Sequence, residues 1–232
     1  MKYAVAVALL FAALTSAHAE DDRRCVDSHI DQDPSTLQLG RIAGDEKRKY
    51  FFAGSDRAPE CPAATVGCIE KAYLVPGDRV LVAPSQRVPG FVCAAFVSRK
   101  GTATVGWLAE AAVEAKPPPA AGAAEWIGTW KYLNATIKIT RGKKPGTLTL
   151  EGDSFAQRYQ SVNTGGFSGT DVPLQGNAIG FAMKQDETVP FEKAEQYDCA
   201  LKLARLNDLM VVRDTGSCGG AGVYFGGYYR RK

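Results

Sequence analysis

The stretch "ATIKITRGKKPGTLTLEGD", residues 135–153, alternates apolar and polar side chains on both sides of Lys144-Pro145-Gly146. Ile137 and Ile139 are interleaved with Thr136, Lys138 and Thr140, and Leu148 and Leu150 with Thr147 and Thr149. In an extended chain successive side chains point to opposite faces, so this period of two predicts a β-hairpin with one buried face and a Pro-Gly turn. Working outward, "GNAIGFAMK" (176–184), "YDCALKLARL" (197–206), "LMVVRD" (209–214) and "GVYFGGYYRR" (222–231) add further short strands. No convincing helical stretch interrupts them. Residues 125–232 are therefore expected to form an antiparallel β-barrel or sandwich.

Upstream lies "KPPPAAGAA", residues 116–124. Consecutive prolines favour polyproline II and cannot enter a sheet interior, which marks a linker between two units. The unit before it, residues 20–115, also reads as β. "KYFFA" (49–53) is an aromatic strand, and "KAYLVPGDRVLVA" (71–83) gives strand, Pro76-Gly77-Asp78 turn and strand. "GFVCAAFVS" (90–98) passes through the Lys100-Gly101 turn into "TATVGWLA" (102–109). Joined only through the linker, this unit is expected to unfold on its own. Residues 20–45, with "DQDPST" (31–36), are polar and carry no assignment.

The series "YLVPGDRVLV", "FVCAAFV" and "TVGWL" resembles bacterial SH3-like domains over residues 46–113. The resemblance implies a small β-barrel that binds a peptide or cell-wall ligand, with Trp107 either packing the barrel or contacting the ligand. In the second unit Gly128-x-Trp130 resembles the opening of lipocalin-like barrels. That resemblance implies a basic residue from the end of the barrel, Arg230 or Arg231, packed against Trp130.

The chain opens "MKYAVAVALLFAALTSAHAE". Lys2, an apolar run from Ala4 to Leu14 and the alanines at 17 and 19 form a secretory leader over residues 1–19, with Glu20 the expected mature N-terminus. The run is shorter than the roughly 20 residues a membrane span needs. A periplasmic or secreted protein is expected. The chain has 6 cysteines, Cys25, Cys61, Cys68, Cys93, Cys199 and Cys218. An even set in an exported chain favours disulfides, and no C-x₂₋₄-C pair offers a zinc site. Cys199 and Cys218 are the only cysteines of their unit and are expected to pair. In the first unit three connectivities are open. The Pro-rich loop holding Cys61 and Cys68 favours their pairing, which leaves Cys25 for Cys93.

The glycine-rich close "RDTGSCGGAGVYFGGYYRRK" (213–232) is not a nucleotide loop. Phe225 stands where G-x-G-x-x-G needs its last glycine, Tyr228 follows Gly227 where a P-loop needs Lys, and no helix follows. These glycines are expected to serve barrel closure. Catalysis has little to stand on, because after the leader only His29 remains of 2 histidines. "GGFSGT" (165–170) lacks the last glycine of a nucleophile elbow. A net charge of +3 is too slight for a nucleic-acid binder. No cofactor or metal is expected.

Two classes of function remain. The first is a non-catalytic interaction protein that binds a peptide, cell-wall or envelope-protein ligand, an inhibitor or immunity-type role being one concrete form. The second is a cell-wall hydrolase working through the carboxylates of "DETVPFEKAEQ" (186–196), with the SH3-like half as targeting module.

Overall fold

A computed structural model describes residues 23–185 and 187–232. The expected leader and its cleavage site lie outside the described residues. The described chain is all-β, with sixteen strands, two short α-helices and four 3-10 turns.

The first antiparallel sheet comprises β1 (Gln38–Ile42), β2 (Lys49–Phe52), β3 (Ile69–Leu74), β4 (Arg79–Val88), β5 (Phe91–Val97), β6 (Ala103–Ala109) and β7 (Val113–Lys116), in the order β3-β2-β6-β5-β4-β1-β7. Its interior packs Ile42, Phe51, Val80, Val82, Val92 and Leu108. The Pro76-Gly77-Asp78 turn forms, with Gly77 at φ +95° and Asp78 Oδ2 accepting the Val75 N–H at 2.8 Å. Its two flanking strands nevertheless part company. β3 pairs with β2, while β4 pairs with β5 and β1, so the turn links strands that are not neighbours. Turn chemistry fixes a change of direction, whereas side-chain burial chooses the partner strand.

The second sheet comprises β8 (Gly128–Tyr132), β9 (Ala135–Arg141), β10 (Thr147–Arg158), β11 (Ser161–Pro173), β12 (Ala178–Lys184), β13 (Glu187–Val189), β14 (Cys199–Leu206), β15 (Leu209–Asp214) and β16 (Gly227–Arg231). Its order is β11-β10-β9-β8-β16-β15-β14-β12-β13. The hairpin of residues 135–153 is present as β9–β10, with Leu150 opposite Ile139 and all four of its aliphatic side chains buried. The sheet curls until its edges meet, where the Thr170 N–H of β11 donates to Thr188 Oγ1 of β13 at 2.9 Å, and it is nearly barrel-shaped. Side chains fill its interior, among them Trp126, Trp130, Phe167, Phe181, Phe225 and Tyr229.

Residues 117–122 carry no regular structure. Lys116 still belongs to β7, and α2 (Ala123–Trp126) leads into the barrel with Glu125 Oε2 accepting the Gly122 N–H at 2.8 Å. The two sheets are joined by more than this segment. The polar N-terminal stretch forms α1 (Asp27–Asp31) and a 3-10 turn (Pro34–Thr36), and it sits between the sheets. Ile30 and Leu37 are buried in one cluster with Leu81 and Val97 of the first sheet and Leu206, Val211 and Tyr228 of the second. Burying an Ile or Leu side chain stabilises by about 1.5–3 kcal/mol, so these two plugs alone outweigh a flexible tether. Lys202 pairs with Asp33 at 3.0 Å, and Tyr228 donates to Asp27 Oδ1 at 3.1 Å. Burial alone would raise the Asp33 carboxyl, but hydrogen bonds from Ser35 and Lys202 outweigh it and hold that group below its usual range. With this shared core the two sheets are expected to unfold together rather than separately, which calorimetry of the full chain would check by a single transition.

Candidate functional site

The cysteines pair as Cys25–Cys93, Cys61–Cys68 and Cys199–Cys218. The last of these sets the closing segment in place. Cys199 begins β14, and Cys218 lies in the loop between β15 and β16, which runs back along the edge of β11. There the Gly166 N–H donates to the Cys218 carbonyl at 3.1 Å, and the Gly220 N–H to the Thr164 carbonyl at 3.2 Å. Gly165 and Gly219 form a β-bridge between these contacts. A Cβ on Gly219 would stand 2.6 Å from Gly165 Cα, so the backbones approach this closely only because both positions lack side chains. Asp214 holds the loop from beneath, accepting the Phe225 N–H at one oxygen and the Gly216 N–H at the other. Desolvation pushes the Asp214 carboxyl above its ordinary range, against the pull of these backbone donors.

This loop braces an overhang. β10 and β11 span 12 and 13 residues, whereas β9 pairs with β10 only as far as Asp153. Beyond Asp153 the β10–β11 hairpin projects past its sheet neighbour. On its inner side Ser154 Oγ donates to the Tyr224 carbonyl at 3.0 Å and Asn163 Nδ2 to the Ala221 carbonyl at 2.7 Å. Its outer side is uncovered. Phe155 opposes Thr164 and Gln157 opposes Val162, which places Phe155 and Val162 on one face as diagonal neighbours. Both are about half exposed, at 46% and 53%. Between Arg158 and Ser161 the chain reverses in two residues, Tyr159 and Gln160. Tyr159 takes φ +40° with its side chain wholly in solvent. A bulky residue in that region costs roughly 1–3 kcal/mol, and Gly or Asn would relieve it. The tip thus presents an exposed aromatic ring next to the uncovered Phe155 and Val162.

The side chains singled out from sequence are taken up by packing. Trp107 is 1% exposed and donates Nε1–H to the Arg23 carbonyl at 2.8 Å. Trp130, also 1% exposed, donates to the Trp126 carbonyl at 2.9 Å, and the Arg231 guanidinium lies 5.2 Å above its ring. Arg230 instead reaches across to the first sheet, pairing with Asp208 and donating to the Val97 and Ser98 carbonyls. Of the carboxylates weighed for catalysis, Glu195 is paired with Lys184, and Glu187 and Glu192 lie exposed. Among the described residues no three His, Cys, Asp or Glu side chains are grouped to hold a metal.

A cleft of about 680 Å³ opens beside α1, lined by Ser28, His29, Gln32, Arg213, Asp214 and Tyr224. It gathers the one histidine expected in the mature chain and a carboxylate, but both Asp214 oxygens serve the loop backbone, and Arg213 donates to the Gln32 carbonyl. The arrangement supplies hydrogen-bonding walls rather than a poised acid–base pair.

If the disulfide acts through this brace, Cys199→Ala and Cys218→Ala should each lower stability by about 3 kcal/mol, the chain-entropy value for a loop of this size. The double variant should cost little more than either single one, because the same bond is lost in all three. Calorimetry of the three variants checks this, and additive losses would contradict it.

No protein-family model, curated protein or solved structure matches the chain.

Proposed function

We propose that the protein is an exported, non-catalytic binding protein that engages an envelope protein through the projecting end of the β10–β11 hairpin. The observation that carries this reading is Tyr159, wholly exposed at φ +40° at the tip of a hairpin whose outer face shows Phe155 and Val162. Aromatic side chains contribute large contact area at low entropic cost, and Tyr is enriched where truncation costs most binding energy. A narrow, two-residue tip suits insertion into a partner's cleft, the geometry of an inhibitor. Export is supported by three disulfides and the leader pattern of residues 1–19, and among the described residues no helix is long and apolar enough to cross a membrane. The SH3-like reading of residues 46–113 makes the first sheet a second binding module. The lipocalin-like reading of the barrel draws support from Arg231 over Trp130.

Affinity capture from envelope extract tests the proposal when wild type is run beside Tyr159→Gly and Phe155→Ser. Tyr159→Gly removes the strain as well as the ring, so its thermal midpoint should hold or rise while retention falls by about tenfold or more. Undiminished retention by both variants would refute the role of the hairpin.

A further inference from the structure

The cleft beside α1 takes residues from both sheets, and such junctions favour small-molecule sites; its volume of about 680 Å³ is of ligand-binding size. Three separate pieces of chain converge on it. Ser28 and Gln32 come from α1 and its C-terminal flank, four positions apart and so on one face. Gln86 arrives by a bulge. β4 pairs Ala83 with Cys93 of β5 and next Arg87 with Val92, so Pro84, Ser85 and Gln86 have no counterpart. Bulges re-aim side chains and are over-represented beside functional sites. Tyr224 comes from the closing loop and is 61% exposed. Cys25–Cys93 ties the chain ahead of α1 to β5, and Cys199–Cys218 anchors the closing loop, so the walls are set in advance.

The charged side chains of the cleft are engaged within the protein. Asp214 accepts the Gly216 and Phe225 N–H groups, and Arg213 donates to the Gln32 carbonyl. One guanidinium and one carboxyl carry no net charge that would select an ion. What is left to recognise a ligand is neutral. The Ser28, Gln32 and Gln86 side chains have no hydrogen-bond partner among the described residues, and they offer hydroxyl and carboxamide donors and acceptors around an exposed ring. A pyranose sugar matches this set, since its ring turns C–H bonds to an aromatic face while its substituents take polar partners. We infer that the cleft binds a neutral oligosaccharide, one sugar ring packed on Tyr224 with its substituents held by Gln86, Gln32 and Ser28. The site shares no residue with the end of the hairpin and does not rest on its role.

The test titrates the full mature chain calorimetrically with tri-N-acetylchitotriose and with maltotriose, two neutral trisaccharides with and without acetamido groups. The acetylated sugar is expected to bind more tightly, because an acetamido group can exchange two hydrogen bonds with a carboxamide. Tyr224→Ala and Gln86→Ala should each weaken binding by about three- to tenfold, whereas Tyr224→Phe keeps the ring and should retain most of the affinity. Neither residue is buried, so the thermal midpoint should hold in all three variants. Binding of maltotriose alone, weakened in the same two variants, supports the site through its hydroxyl contacts. Binding of neither sugar, or binding that Tyr224→Ala and Gln86→Ala leave unchanged, overturns the proposal. Tyr159→Gly should bind the sugar as wild type does, so failure of the hairpin's role would leave this result standing.

Discussion

Trp130→Ala should lower the stability of the whole protein by about 3–5 kcal/mol, the usual cost of emptying a buried indole site. The ring is 1% exposed in the middle of the barrel core. Its loss also strips the Trp126 carbonyl of its donor and leaves the Arg231 guanidinium without the face it covers. A buried acceptor left unmade adds to the cavity cost. Because Tyr132 packs against both the barrel cluster and the cluster shared with the first sheet, the damage should spread. Calorimetry should show one transition moved to lower temperature. A split trace with the first sheet melting at its wild-type temperature would contradict the shared core.

Gly227→Val should be nearly as damaging, at about 3 kcal/mol or more, by a different route. Gly227 has φ +145°, a region side chains rarely adopt, and a Cβ built there would stand 2.0 Å from Tyr132 Cε1. Backbone strain and overpacking each cost roughly 1–3 kcal/mol, and here they act together. Tyr132 cannot easily retreat, since its ring meets Tyr228 and Tyr229 at centroid distances of 6.3 and 5.7 Å. The neighbouring Gly226 is the control. A Cβ there would meet only the Val212 carbonyl at 3.6 Å, an ordinary contact, so Gly226→Ala should cost under about 1 kcal/mol. Equal losses at both positions would contradict the crowding argument.

These effects divide by how far the sequence alone could show them. Ile137, Ile139, Leu148 and Leu150 announced their hairpin because alternation is local, and the barrel class followed from repeated local signals. The pairing of β3 with β2 was hidden, because the Pro76-Gly77-Asp78 turn speaks only for its own geometry. The stretch from Arg23 to Leu37 gave no period, since its two plugs, Ile30 and Leu37, serve a surface assembled from both sheets, from Leu81 and Val97 to Leu206 and Tyr228, all distant in sequence. The glycines of the closing loop were legible as structural. Their partner was not, because the approach of Gly219 to Gly165 joins the closing loop to the middle of the barrel sequence.

The hairpin tip was the least visible feature. Tyr159-Gln160 contains none of the Gly, Asn or Asp that marks a two-residue turn, so the sequence carries no local signal for this reversal. Extending the period-two count through Ser154, Phe155 and Ala156 would have found the strand. That β9 stops short and leaves Phe155 uncovered is a matter of strand length in three dimensions, with no local sequence signal. A position where local turn chemistry fails is where function is expected to have overruled stability.

Hydroxyl-radical footprinting of the protein with and without its captured partner tests that claim most directly. Tyr159, Tyr197 and Tyr224 are all well exposed, at 105%, 83% and 61%, and report on the hairpin tip, an unrelated surface and the cleft beside α1 respectively. The account predicts that the partner suppresses labelling of Tyr159 and Phe155 while Tyr197 and Tyr224 label as before. Unchanged labelling of Tyr159 with protection of Tyr224 would contradict it and move the binding site into the cleft.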